Sequence, residues 1–158
     1  MKRKILLLIC VLTCCSVLLA CGKDAVCGEW RIYSFSYIYN NVTYEYSLIE
    51  AQQLEGNVDV MMNPDKYTDQ EVVEGTIGLI CTQSSEIIYI FNSNKTVDYI
   101  MNGEKNTTLT WERQKDNIIV KGYDEYSQDT VYSFEDDDTI YTEQTYSGNT
   151  LTIILKRN

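Results

Sequence analysis

Cysteine has the widest chemical scope of the residues in this 158-residue chain, and it occurs six times, whereas histidine does not occur. Cysteine nucleophiles are commonly activated by an imidazole, and zinc sites are built from several Cys or His ligands. Neither chemistry can be assembled here, because only Cys27 and Cys81 lie beyond the N-terminal region. The Gly-rich phosphate-binding patterns G-x-x-x-x-G-K-[ST] and G-x-G-x-x-G do not occur. The sequence also identifies no pair of Glu or Asp residues for general acid–base catalysis. We therefore expect no catalytic residues, no cofactor, no metal and no enzymatic activity.

The densest run of acidic side chains covers residues 135–138, Glu-Asp-Asp-Asp. Calcium binds clustered carboxylates, but a dedicated calcium loop spaces them at alternate positions and includes a glycine at its turn. This run has neither feature. A solvated hairpin turn is therefore favoured over a calcium site.

The N-terminal segment has the pattern of a secretory signal, in which three basic residues precede an apolar run over residues 5–20. As a helix this run would be about 24 Å long, which is short for a membrane span. Residues 18–22, Leu-Leu-Ala-Cys-Gly, resemble the lipobox of bacterial lipoproteins. In that family the cysteine thiol receives a diacylglycerol, and the chain is cut just before it. The resemblance implies a signal peptide over residues 1–20 and a membrane-anchored, extracytoplasmic envelope protein lipidated at Cys21. An ordinary signal peptide with an incidental Cys21 is the alternative.

Cys27 and Cys81 are the thiols that remain after such processing. An extracytoplasmic location permits a disulfide, and closing the loop between them would stabilise the fold by roughly 4 kcal/mol in the chain-entropy picture. The sequence leaves both a Cys27–Cys81 disulfide and two separate thiols open.

The mature chain, residues 21–158, is one domain in length and strongly acidic. It keeps 10 basic against 23 acidic side chains, a net charge of −13. Such a surface repels phosphate backbones, which excludes nucleic acid as a partner, and it repels anionic membranes, which leaves anchoring to the lipid at Cys21. Residues 21–27 form a short linker, so the domain over residues 28–158 is expected to lie close to the bilayer.

Short segments rich in Tyr, Val, Ile and Thr alternate with turn-forming residues about every ten positions, which predicts an all-β meander closed as a sandwich or barrel. The predicted strands cover residues 30–39, 42–46, 86–91, 96–101, 107–113, 117–123, 129–134, 139–146 and 150–156. A period of two places one set of side chains inward: Leu109, Trp111, Ile118, Val120, Tyr132, Phe134, Leu151, Ile153 and Leu155.

Two capping boxes, each a Ser or Thr followed three residues later by Glu, predict short helices between the second and third strands. The first helix is predicted over residues 48–55, with a glycine beyond its end. The second begins after Thr68 and is expected to stop at Gly75. Residues 57–62 are apolar at alternate positions, and residues 76–81 fit no single pattern.

The chain resembles a lipocalin, and more closely the small lipocalin-like domains of envelope lipoproteins from gut bacteria. Residues 28–30, Gly-Glu-Trp, match the G-x-W that opens the first strand of that family. Shorter matches lie in residues 90–96, 110–112 and 149–153. The resemblance implies an antiparallel up-and-down barrel of about eight strands with a short helical insertion after the first strand. It also implies structural roles for Gly28, for Trp30 as the plug of the closed end, and for Arg157 or Lys156 packed over it.

The resemblance further implies a barrel interior that holds a small apolar or amphipathic molecule, so the first hypothesis is a non-enzymatic, ligand-binding envelope lipoprotein. The candidate ligand-binding residues are Trp111, Tyr132, Tyr37 and Tyr39, and the tyrosine-rich first hairpin is the candidate recognition surface. The alternative for all of them is that they build core and sheet. The second hypothesis is surface-mediated contact with a basic protein, for example lysozyme, which the acidic charge would favour; the sequence identifies no protein partner.

Overall fold

The computed structural model describes residues 26–158 apart from 85–86, 102, 123–127 and 147. The predicted signal peptide, Cys21 and the predicted turn at residues 124–125 lie outside the described residues. Within these described residues, nine strands form one antiparallel sheet, and pairing of the first strand with the last closes eight of them into a barrel. The predicted all-β, antiparallel up-and-down barrel with a helical insertion is confirmed.

The strands of the barrel follow one another in chain order. The exception is the second strand, which is not one of the eight and pairs with residues 34–39 of the first strand. The strands are β1 Gly28–Tyr39, β2 Val42–Ser47, β3 Ile88–Phe91, β4 Thr96–Met101, β5 Glu104–Gln114, β6 Asn117–Val120, β7 Thr130–Asp136, β8 Thr139–Tyr146 and β9 Asn149–Arg157. Residues 48–84 form the insertion. It contains α1 Leu48–Ala51, α2 Val58–Met62, a 3-10 helix Pro64–Lys66 and α3 Asp69–Ser84.

Part-way along β1, two things change: the strand that it pairs with, and whether its even-numbered or odd-numbered residues face inward. Its first half pairs with β3 and its second half with β2. The register with β9 shifts at Tyr33, which is an extra residue of the bulged strand. Because one extra residue reverses the alternation, the buried side chains are Trp30 and Ile32 before the bulge and Phe35 and Tyr37 after it.

A cluster of buried side chains occupies the barrel interior. The inward set predicted from period two is confirmed: six of its members are buried, and Leu109, Phe134 and Ile153 pack half-buried against the same cluster. The insertion contributes Ile77 and Cys81 from α3. The interior is therefore filled by the chain's own side chains.

Trp30 seals one end of the barrel. It is fully buried, and its indole Nε1 donates to the Val26 carbonyl oxygen at 2.9 Å. The Arg157 guanidinium lies over its ring, 4.8 Å from the centroid. Gly28 starts β1 with φ of 147°, a conformation that residues with a side chain rarely adopt. We call this end, where the described chain begins and β9 finishes, the closed end.

Both capping boxes form as the sequence predicts. The Thr68 hydroxyl accepts from the Glu71 N–H at 3.3 Å, and the Glu71 carboxylate accepts from the Thr68 N–H at 2.8 Å. Ser47 and Glu50 repeat this exchange at the start of α1. These hydrogen bonds lower the pKa values of the Glu50 and Glu71 carboxyls.

The predicted helix ends are wrong, and residues 57–62, for which the sequence predicted no element, contain a helix. α1 ends at Ala51 rather than at residue 55, and α3 continues through Gly75 to Ser84. Residues 58–62 form α2, which the Asn57 side chain caps by accepting from the Asp59 N–H.

Close contact with the rest of the insertion explains the glycines inside α3. A Cβ atom on Gly78 would lie 2.8 Å from the backbone nitrogen of Gly56, and one on Gly75 would lie 2.9 Å from the Val60 side chain. These glycines let α3 touch its neighbours, so they do not mark helix ends.

Candidate ligand-binding cleft

A cleft of about 310 Å³ lies between the insertion and the barrel rim opposite the closed end. We call it the rim cleft. The barrel lines it with Tyr37, Tyr39, Gln144, Asn149 and Leu151, and the insertion lines it with Val60, Met61, Pro64, Val72, Thr76 and Ile80. Its volume is near the lower end of the range of about 300–1,000 Å³ typical of small-molecule sites.

The barrel wall of the rim cleft is one row of residues across three strands. Gln144 of β8 pairs with Leu151 of β9, which pairs in turn with Tyr37 of β1. Tyr39 lies two residues further along β1, on the same face, and its ring meets the Tyr37 ring edge to face at 5.9 Å between centroids. The Asn149 side-chain oxygen accepts from the Asn40 N–H at 3.1 Å, which ties the β1–β2 turn to β9.

The insertion wall comes mainly from one stripe of α3. Val72, Thr76 and Ile80 follow one another at intervals of four and so share a helix face. The Thr76 hydroxyl donates to the Val72 carbonyl oxygen at 2.7 Å, so its hydrogen is used within the helix. Val60 and Met61 of α2 complete this largely apolar wall.

Tyr37 and Tyr39 are the ionisable side chains among those that line the rim cleft. Burial raises the pKa of the Tyr37 hydroxyl, and the neighbouring Tyr39 raises it further. Burial also raises the pKa of the Tyr39 hydroxyl, and the negative charges of Asp69 and Asp65 add to that shift. Both phenols are therefore protonated and neutral near pH 7.

No family model, curated protein or solved structure matches the chain. The function of the rim cleft has therefore to be inferred from its geometry and chemistry. Within the described part of the chain, no group of three or more His, Cys, Asp or Glu side chains could hold a metal ion. The cleft can bind an apolar segment and form hydrogen bonds through phenol and amide groups.

The structure divides the four predicted ligand-binding residues into two pairs. Tyr37 and Tyr39 line the rim cleft. Trp111 and Tyr132 lie in the interior cluster, where both rings meet Phe91 edge to face at 5.9 and 6.2 Å. Burial raises the pKa of the Tyr132 hydroxyl well above its usual range. These two side chains fill the barrel.

Trp111 also holds a turn at the closed end. Its indole Nε1 donates to the Asn92 carbonyl oxygen at 3.0 Å, and the Lys95 ammonium lies 3.6 Å from the ring centroid. The Asn92 amide in turn donates to the carboxylate of Asp98, a buried group that also pairs with Lys105 at 2.6 Å. The role of Asp98 was not predicted from the sequence.

The remaining predicted site residues lie away from the rim cleft. Gly28, Trp30 and Arg157 belong to the closed end. Cys81 is buried in the interior cluster and Cys27 packs half-buried against it, so both thiols belong to one hydrophobic environment. A Cys27–Cys81 disulfide and two separate thiols remain the two alternatives.

Two acidic features lie outside the rim cleft. Residues 135–138 include the tight turn between β7 and β8, where the Asp136 carboxylate accepts from the Asp138 N–H at 2.8 Å. A larger groove of about 600 Å³ lies on the insertion, is lined in part by Glu55, Glu71 and Glu74, and shares Val60 with the rim cleft. Glu74 accepts hydrogen bonds there from Tyr46 and Gln70.

Most of the insertion wall was not predicted from the sequence: Val60, Met61, Pro64, Val72, Thr76 and Ile80. The spacing of four between Val72, Thr76 and Ile80 was a usable signal for a helix stripe. Ending the helix at Gly75 divided that stripe in two.

Proposed function

We propose that this protein is a lipid-anchored envelope lipoprotein that binds a small amphipathic ligand in the rim cleft and performs no catalysis. The observation that carries the proposal is the composition of the cleft, which joins an apolar wall from the insertion to phenol and amide groups from the barrel rim. Ligand sites typically combine apolar surface with a few polar groups in this way. The lipocalin-like sequence features support the same class of function.

The filled interior favours a ligand site at the rim over one inside the barrel. Fully buried residues such as Trp30, Phe35 and Ile118 occupy the space in which a hollow barrel would hold its ligand. The rim cleft has the volume of about ten liquid water molecules at roughly 30 Å³ each. Transfer of a ligand's apolar segment from water into this space supplies the driving force.

The rim cleft would open away from the proposed lipid anchor. The described chain begins beside Trp30 at the closed end, only a few residues after Cys21 in the sequence. The 12 residues of β1 then run toward the rim over a strand length of roughly 35–40 Å, at about 3.3 Å each. The described residues include no helix with the length and apolar character needed to cross a membrane.

Replacing Cys21 by serine tests the anchor. We expect the wild-type precursor, produced in a bacterium fed labelled palmitate, to incorporate label and partition into the detergent phase. The Cys21→Ser variant should incorporate no label, because a hydroxyl cannot form the thioether. Cys27→Ser is the matched control and should behave as wild type. A Cys21→Ser protein that still carries label would contradict lipidation at this position.

Replacing Met61 by serine tests the rim cleft. Met61 lines the cleft and is 61% exposed, so a ligand can cover it. Using the mature chain with Cys21→Ser, titration calorimetry would measure the affinity for dodecyl maltoside, a neutral amphiphile. We expect Met61→Ser to weaken binding about fivefold, which corresponds to about 1 kcal/mol of lost apolar contact.

Met62 provides the control for this experiment. It neighbours Met61 on α2 and is 75% exposed, but it does not line the rim cleft. Met62→Ser should therefore leave the affinity unchanged. Equal effects of the two substitutions, or none from either, would contradict binding in the rim cleft.

The acidic groove on the insertion favours a second candidate function, contact with a basic protein. The groove carries Glu55, Glu71 and Glu74, and the mature chain has a strong negative charge. Binding of lysozyme that weakens steeply with added salt and ignores Met61→Ser would support this function. Absence of binding at low salt would exclude lysozyme as that partner.

A further inference from the structure

We infer that the rim cleft selects amphiphiles with a cationic head group over amphiphiles with an anionic one. The inference depends on the proposed function and adds the charge of the ligand to it. Its starting point is the lining: among the described side chains that line the rim cleft, none is basic. An anionic head group would therefore find no Lys or Arg partner on the cleft wall.

The Tyr37 and Tyr39 rings provide a surface that suits a cation. A positive charge over an aromatic ring is attracted by the negative potential of the ring face. This chain already uses such contacts internally, with Lys95 at 3.6 Å from the Trp111 centroid and Lys156 at 3.9 Å from the Tyr33 centroid. In the rim cleft, the half-buried Tyr39 ring is the one that a cation from outside would meet, and the buried Tyr37 ring contacts it edge to face at 5.9 Å.

Two carboxylates accompany these rings. Asp69 opens α3, and its Oδ1 accepts from the Asn40 side-chain amide at 3.1 Å, which fixes it beside the β1–β2 turn. Asp65 follows Pro64, a residue that lines the cleft. Both carboxylates are exposed, and both raise the pKa of the Tyr39 hydroxyl. A head group at the Tyr39 side of the cleft would therefore experience their negative potential.

The N-terminus of α3 does not offset this negative charge. Backbone N–H groups at the start of a helix attract anions when they are available. Here the Thr68 hydroxyl accepts from the Glu71 N–H, and Asp69 and Glu71 place two carboxylates in the first turn. The helix start is thus already supplied with acidic groups, and the negative charge of the whole domain would add to the attraction of a cation.

The test compares three amphiphiles that share one alkyl chain: dodecyltrimethylammonium, dodecyl maltoside and dodecyl sulfate. The protein is the mature chain with Cys21→Ser, and each amphiphile is titrated below its critical micelle concentration at moderate salt. We expect the ammonium to bind about tenfold more tightly than the sulfate, as a cation–ring contact and nearby carboxylates would provide.

The double variant Asp65→Asn, Asp69→Asn isolates the electrostatic contribution, because asparagine keeps an oxygen that can accept from Asn40. We expect it to reduce the preference for the ammonium severalfold and to leave dodecyl maltoside binding unchanged. Asp137→Asn is the control: it also removes an exposed carboxylate, but in the turn between β7 and β8 at the other end of the barrel, so the preference should persist.

The outcomes separate this inference from the proposed function. Dodecyl sulfate that binds as tightly as the ammonium, with both weakened by Met61→Ser, would overturn the charge selectivity and leave the amphiphile site standing. An equal loss of preference in the double variant and in Asp137→Asn would overturn the local role of Asp65 and Asp69. Failure of all three amphiphiles to bind would overturn the proposed function and the inference with it.

Discussion

Replacing Trp30 by alanine is expected to lower the free energy of unfolding by about 3–5 kcal/mol, the usual cost of removing a large buried aromatic side chain. The side chain is fully buried and lies beneath Arg157, and its indole N–H donates to the Val26 carbonyl oxygen. The substitution would leave a cavity at the closed end and remove the donor that fixes the start of β1. Urea denaturation of the mature chain with Cys21→Ser, followed by circular dichroism, would measure the change.

Two further variants keep the Trp30 experiment interpretable. Tyr33→Ala on the same strand removes a side chain that is 53% exposed, so its cost should stay below about 1 kcal/mol. If Trp30→Ala does not fold, Trp30→Phe should fold with an intermediate loss, because it keeps most of the apolar area. A loss below about 1 kcal/mol for Trp30→Ala would show that the closed end is not part of the cooperative core.

Replacing Gly78 by alanine is expected to destabilise the protein and to weaken ligand binding, although alanine normally favours a helix over glycine by about 1 kcal/mol. The added Cβ would lie 2.8 Å from the Gly56 nitrogen and 3.0 Å from the Leu54 carbonyl oxygen. Because these are backbone atoms, the loop before α2 would have to move away from α3. Overpacking of this kind costs about 1–3 kcal/mol.

The link to binding follows from the position of α2, which carries Val60 and Met61 of the rim cleft and directly follows the displaced loop. Thermal unfolding and dodecyl maltoside titration would therefore change together in Gly78→Ala. Gln83→Ala is the control, because Gln83 is an exposed position of the same helix. A Gly78→Ala protein more stable than wild type would contradict the close contact between the loop and α3.

The strands could be predicted because their signals are local. Alternating apolar residues define a strand face within a few positions, and the turn at Asn40 and Asn41 uses residues that tolerate the positive φ values of 48° and 63° seen there. The inward positions Ile118, Leu151 and Leu155 follow from the same period of two. Neither signal depends on distant parts of the chain.

The bulge at Tyr33 and the course of α3 depend on distant contacts, and sequence patterns do not display these. The parity change in β1 is set by its register with β9, more than 100 residues away in the sequence. Gly75 was predicted to end the helix, because glycine is common just beyond helix ends. In the structure, the absence of a side chain at Gly75 leaves space for the Val60 side chain. The rim cleft was missed because it needs the uninterrupted helix.

The predicted ligand-binding residues show the limit of a period-two argument. Trp111 and Tyr37 both face inward, yet Trp111 fills the closed part of the barrel and Tyr37 lines the rim cleft. Whether an inward-facing residue belongs to the core or to the rim cleft depends on its depth along the barrel axis. The alternation of apolar and polar residues in the sequence carries no information about that depth. The position of the insertion, which covers the rim and leaves the cleft, is likewise a tertiary feature.

The central claim is that an amphiphile occupies the rim cleft while the barrel interior stays filled. Intermolecular nuclear Overhauser effects between the alkyl protons of bound dodecyl maltoside and methyl groups of the protein test it most directly. We expect contacts to Val72, Ile80 and Leu151, which line the cleft. Contacts to the interior residues Val97, Ile118 and Ile140, or no contacts to the cleft residues, would contradict the claim.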